Sequence, residues 1–185
     1  MAETVTYYFN SYDVGTAWSN NPAFMADGDE ETIATTTTDT DEELLNANTC
    51  IGTDLGTITK VEIRAWGSVS VGSSSVSLTP YFSDLAGDAH NSGIDTEEGW
   101  NAWVDITSDT NAPVGWSWSD ISNLDCLVIF SQDFSGASVA KVEIQVTYIP
   151  NGPGNLKKCF GVEKASIKKI VEIETANIKK ISGIA

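Results

Sequence analysis

Ile58-Thr59-Lys60-Val61-Glu62-Ile63-Arg64-Ala65-Trp66 is the stretch that decides the fold. Val61, Ile63 and Ala65 alternate with Lys60, Glu62 and Arg64, the period of a strand with one apolar and one wet face. Its tetrapeptide returns as Lys141-Val142-Glu143-Ile144 inside residues 140–148, so the two strands are expected at equivalent positions in the two sheets of a sandwich. Around them the chain alternates short β-branched and aromatic runs with clusters of Gly, Asn, Asp and Ser.

Residues 5–9 read as a first strand and residues 32–38 as an edge strand. Residues 69–71 and 76–82 flank Gly72-Ser73-Ser74-Ser75 and read as a hairpin. Residues 124–130 are apolar on both faces and read as a central strand covered on both sides. About eight strands and no long amphipathic stretch select an all-β fold, an antiparallel, jelly-roll-like β-sandwich. Its expected core holds Val61, Ile63, Leu127, Ile129, Val142, Ile144 and Val146.

The sandwich is expected over residues 1–149. Pro150-Asn151-Gly152-Pro153-Gly154 cannot continue a sheet ladder, so residues 150–154 read as a linker. Beyond it, residues 155–185 carry one eleven-residue phrase three times: Leu156-Lys157-Lys158-Cys159, then Ile167-Lys168-Lys169-Ile170, then Ile178-Lys179-Lys180-Ile181. Ile, Val and Thr, with Gly161 and Gly183 at one equivalent position, favour short strands joined by tight turns over a helix. So short a unit cannot bury its own apolar face, which makes the tail an assembly device. Leu156, Ile167, Ile170, Ile173, Ile178, Ile181 and Ile184, with Lys168, Lys169, Lys179 and Lys180, are its expected interface. A homo-oligomer follows, or attachment to another subunit.

Charge divides at the same place. Residues 1–154 hold three cations, Lys60, Arg64 and Lys141, against 23 carboxylates, a net −20. Residues 155–185 hold seven lysines against three glutamates, a net +4. The acidic part repels phosphate and argues against nucleic-acid binding. No apolar run approaches the ~20 residues of a membrane helix, and no secretion signal is recognised, so a soluble protein without a membrane role is expected. Cys50, Cys126 and Cys159 are scattered and odd in number, which indicates neither a disulfide framework nor a zinc site.

Two constellations stand out as candidate binding sites. Asp27, Asp29 and Glu31 have the alternate spacing with which loop carboxylates wrap calcium, although the run lacks a full calcium-loop sequence and otherwise reads as a solvated acidic turn. No other cofactor is expected. Trp100, Trp103, Trp116 and Trp118 fall within nineteen residues beside Asp105 and Asp120. Exposed, they make a platform for pyranose rings; buried, they close the end of the sandwich. His90, the single histidine, reads as an ordinary loop residue, and no phosphate loop or nucleophile elbow is present, so no catalysis is expected.

Gly99-Trp100-Asn101-Ala102-Trp103-Val104-Asp105-Ile106-Thr107, Trp116-Ser117-Trp118-Ser119-Asp120-Ile121, residues 140–148 and the Ile-Lys-Lys-Ile tail together resemble a group of bacteriophage virion proteins. In these a jelly-roll or lectin-like sandwich precedes short repeats close to I-x-K-I-x-G-V. The resemblance departs where Glu172 replaces the glycine of the middle repeat. It implies a structural virion component, a capsid decoration, fibre or tail-associated protein on the particle exterior or tail. The residues themselves also support an alternative of another class, an adhesin module that binds surface glycans through the tryptophans.

Overall fold

The computed structural model describes residues 1–13, 18–132 and 135–151 with their side chains, and the backbone alone at 158–159 and 162–163. In chain order the strands are β1 (Glu3–Tyr12), β2 (Ala34–Thr36), β3 (Glu42–Asn48), β4 (Gly56–Val69), β5 (Ser75–Phe82), β6 (Leu85–Ala86), β7 (His90–Asn91), β8 (Gly99–Trp100), β9 (Val104–Asp105), β10 (Leu124–Ser131) and β11 (Ala137–Pro150). A 3-10 turn covers Pro22–Ala26, and one short helix, α1, covers Trp118–Ser122.

Every pairing is antiparallel, and the pairs form two faces of an antiparallel β-sandwich. Sheet A runs β1–β11–β4, with β8 and β9 on the free edge of β4 and β2 beside the start of β11. Sheet B runs β1–β3–β10–β5, with β6 and β7 beyond β5. The first strand belongs to both: residues 3–8 pair with β11, and residues 9–12 pair with β3. The chain crosses from β3 in sheet B to β4 in sheet A and on to β5 in sheet B, returns to sheet A at β8 and β9, and crosses again to β10 in sheet B and back to β11 in sheet A, the wrapping of a jelly roll.

The core is the space between the sheets. Val61, Ile63 and Ala65 from β4 and Val142, Ile144 and Val146 from β11 enter it from sheet A. Leu45, Leu78, Cys126, Val128 and Phe130 enter it from sheet B. Each large aliphatic side chain so buried contributes about 1.5–3 kcal/mol. Trp18 closes one region edge-to-face on Phe130, and Trp118 meets Tyr148 the same way.

Three sequence expectations change here, and one element is added. The Lys-Val-Glu-Ile copies are not in opposite sheets but are neighbours, paired antiparallel with Ile63 opposite Ile144 and Arg64 opposite Glu143. The register sets one opposite-charge pair, Arg64 and Glu143, face to face, which favours the adjacent placement, while Glu62 stands opposite Gln145 and Lys60 opposite Thr147. The Gly72–Ser75 turn is no hairpin loop: it carries the chain from β4 in sheet A to β5 in sheet B. Leu127 and Ile129 are half-buried and face outward, while Leu124, Cys126, Val128 and Phe130 fill the core. A strand apolar on both faces leaves its register open, and the inward side of β3 and β5 decides it. Finally, residues 118–122 are helical, because Ser117 caps the backbone N–H of Asp120 while the Asp120 carboxylate accepts from the N–H of Ser117.

The chain divides into two units, Met1–Pro150 and Asn151–Ala185. Within the second, β12 (Lys158–Cys159) and β13 (Val162–Glu163) pair antiparallel, Lys158 with Glu163 and Cys159 with Val162. The strand character expected of the first repeat is present there. The expected interface residues Leu156, Ile167, Lys168, Lys169, Ile170, Ile173, Ile178, Lys179, Lys180, Ile181 and Ile184 lie outside the described residues.

Candidate functional site

All three cations of residues 1–154 project from the outer face of sheet A. Lys60 and Arg64 alternate with the inward Val61, Ile63 and Ala65 on β4, and Lys141 stands across from Trp66 on β11. The Arg64 guanidinium donates to one carboxylate oxygen of Glu143 through Nε at 3.0 Å and Nη2 at 2.7 Å. Lys141 Nζ approaches the other oxygen of Glu143 at 3.3 Å, while Lys60 donates to Glu62 at 2.6 Å and lies 3.8 Å from Asp105. Glu62 and Glu143 are nearly buried, so these pairings satisfy carboxylates that would otherwise cost several kcal/mol to desolvate.

Aromatic rings complete the face. Gly99–Trp100 and Val104–Asp105 pair with the edge of β4, Trp100 opposite Trp66 and Val104 opposite Ile63, so the loop between them returns over Arg64. The Arg64 Cζ lies 3.9 Å from the Trp100 ring centroid and 4.2 Å from that of Trp103. Lys141 Nζ lies 5.0 Å from the Tyr8 ring centroid and 5.9 Å from that of Trp100. Cation–π contacts of this kind contribute about 0.5–2 kcal/mol each and hold both indoles in fixed orientations. The position of Arg64 is itself fixed by Glu143. A glycine makes the strand spacing beside Trp66 tolerable: a Cβ on Gly67 would sit 2.1 Å from the Ser138 carbonyl oxygen.

Charge states on this face follow from those contacts. The hydrogen bond to Glu62 raises the Lys60 ammonium above its ordinary value. Burial pushes the Asp105 carboxyl up, but Thr107, through its hydroxyl and backbone N–H, and then Lys60 outweigh it, and the group ends below its ordinary value. Lys60 and Asp105 therefore both stay ionised near neutrality.

The expected four-tryptophan cluster divides in two. Trp118 is core, donating its indole N–H to the Gly56 carbonyl at 2.7 Å, and Trp116 leans on that core, edge-to-face with Phe82 and bonded to the Thr107 carbonyl at 2.9 Å. Trp100 and Trp103 are half-buried and stand outside the core, as does Trp66, which the sequence reading did not include. A signal for Trp66 was present: it ends the wet side of the alternating stretch, in phase with Lys60, Glu62 and Arg64.

The acidic run is organised by its own backbone. Asp27 accepts the Asp29 N–H at 2.8 Å and the Thr32 hydroxyl at 2.6 Å, and Asp29 accepts the Glu31 N–H at 2.9 Å. The alternate spacing thus builds consecutive Asx turns. Among the described residues no group of three or more His, Cys, Asp or Glu is gathered to hold a metal ion. His90 Nε2 lies 2.7 Å from Asp109 Oδ2 and links β7 to the loop after β9.

No protein-family model matches the chain, and no characterised protein sequence does either. Among solved structures the chain is similar to the CBM36-1 domain of a multidomain xylanase from the hindgut metagenome of Trinervitermes trinervoides, at 9% identity and a TM-score of 0.38, covering 78% of this chain and 96% of that one. It is also similar to the family 32 CBM from C. perfringens NanJ in complex with galactose, at 12% identity and a TM-score of 0.31, covering 78% of this chain and 93% of that one. Scores at this level carry no inference about the site, whose chemistry has to be read from its own residues.

Proposed function

We propose that the sandwich is a non-catalytic glycan-binding module and that the outer face of sheet A is its binding surface. One observation carries this reading: three of the six tryptophans, Trp66, Trp100 and Trp103, are withheld from the core and set on one face among the domain's only three cations. Indole surface left partly in water stacks with the apolar side of a pyranose ring. Paired carboxylates and cations beside it supply acceptors and donors for hydroxyl groups. Lys60, Arg64 and Lys141 are opposed by Glu62, Glu143, Asp105 and Glu30, so the face is nearly neutral and suits uncharged sugars. The rest of the domain is acidic and repels polyanions. A panel of neutral and anionic glycans tests this: binding of neutral sugars that Trp103→Ala abolishes supports it, and binding of anionic sugars alone overturns the neutral assignment.

A second reading concerns the tail. The antiparallel pairing of Lys158–Cys159 with Val162–Glu163 within the first repeat, and the threefold recurrence of that repeat, favour assembly through residues 155–185. A virion component built from many copies would use such a tail, with the glycan face turned outward. The full chain should then sediment as an oligomer, and Ile170→Ser with Ile181→Ser should leave a folded monomer.

A further inference from the structure

Sheet B has an outer face of opposite character to that of sheet A. In register across β3, β10 and β5 lie Leu44, Leu127 and Thr79, then Glu42, Ile129 and Ser77, with Asp125 and Tyr81 as the next row beyond Leu127. Leu44, Leu127, Ile129 and Tyr81 are half-buried and belong neither to the core nor to the side chains packed against it. Two rows therefore present leucine and isoleucine flanked by carboxylates. No lysine or arginine occurs on any strand of this sheet, because all three of residues 1–154 sit on β4 and β11.

The chain supplies a complement to that pattern. Beyond residue 154 it carries Ile-Lys-Lys-Ile units in which large apolar side chains are interleaved with lysines, a net +4 against the −20 of the domain. Six isoleucines in this thirty-one-residue tail are too many to leave in water, and three short repeats are too few to cover themselves. Opposite charge draws the two together and sets their register, while apolar contact supplies the adhesion.

We propose that the outer face of sheet B, centred on Leu44, Leu127 and Ile129, is the docking surface for the C-terminal repeats of a second copy of this chain. Glu42 and Asp125 flank the apolar strip and pair with the tail lysines. A head-to-tail contact of this kind is heterologous, so it propagates into a ring or filament rather than stopping at a dimer. The proposal rests on the assembly reading of the tail and is independent of the glycan face.

Sedimentation velocity of the full chain tests both layers. The wild type should form oligomers that grow with concentration. Leu127→Glu with Ile129→Glu should sediment as a monomer with unchanged circular dichroism, as should the tail variant Ile170→Ser with Ile181→Ser. Should the first pair fail to fold, Glu42→Lys with Asp125→Asn takes its place and should weaken association at least tenfold. A monomeric wild type overturns the assembly reading and this surface with it. Oligomers lost in the tail variant but kept in the folded sheet B variants overturn the surface alone.

Discussion

The two outer faces of the sandwich share one core and differ in almost everything else. On sheet A, cations alternate with nearly buried glutamates and are roofed by Trp100 and Trp103. On sheet B, leucine and isoleucine alternate with serine and carboxylates, and no cation is present. Both are antiparallel sheets with an identical period of two, so the fold does not demand the contrast. An ordinary solvated face needs neither tryptophans held by an arginine nor a leucine strip. The difference teaches that the two faces are built for different contacts, which is why we propose a sugar as the partner of one and an apolar, basic peptide as the partner of the other.

The largest effect comes from breaking what the faces share. Ile144 is fully buried between the sheets, and Ile144→Asp should unfold the domain, since a buried unpaired charge costs several kcal/mol against a total of about 5–15. Loss of the cooperative thermal transition is the expected result, and both faces should disappear together. Next comes the asymmetry between the faces. Glu143→Gln removes the anchor of Arg64 and Lys141 and should cost about 1.5–3 kcal/mol, with a shift in tryptophan fluorescence. Glu42→Gln on the exposed rim of sheet B should stay within about 0.5 kcal/mol. Equal melting temperatures for the two variants would erase the distinction between a face braced by buried ion pairs and one rimmed by exposed carboxylates.

Acid separates the faces more gently. Burial raises the Asp125 carboxyl on sheet B above its ordinary 3.8, with the Ala47 N–H opposing and Asp84 adding to the rise. Its folded form binds the proton first, so stability rises as pH falls from that raised value toward 3.8. Asp105 on sheet A is held below 3.8, so its contribution is present above that value and is lost as pH falls further. Melting curves against pH should therefore lose the first trend in Asp125→Asn and the second in Asp105→Asn. The smallest expected effect is none. The Asp27 and Asp29 carboxylates are already occupied by Asx turns, and calcium chelation should leave the melting temperature unchanged.

How much of this could be read from residues alone varied with the kind of signal. Alternation in residues 58–66 located β4 and its wet face, because a period of two encodes sidedness directly. It could not say that β11 would lie beside β4, since strand order depends on contacts between segments far apart in sequence. Residues 124–130 were legible as a strand but not in facing: with apolar groups on both sides, only the neighbours Leu45 and Leu78 settle which side is inward. The tryptophans were legible as a cluster and illegible as two. Trp118 goes inward because Ser117 and Asp120 wind residues 118–122 into a helix, a capping signature present in the sequence. Trp100 and Trp103 stay outside because the guanidinium of an arginine thirty-six residues before the first of them lies against both rings.

The central claim is that sheet A binds sugar through rings held in place by Arg64. Titration of neutral oligosaccharides into the full chain, wild type beside Trp100→Ala with Trp103→Ala, tests it most directly. Loss of two stacking rings should reduce affinity at least tenfold while the melting temperature moves by only a few degrees. Sugar binding that survives the double substitution in a folded chain, or its absence from the wild type across the panel, would contradict the account.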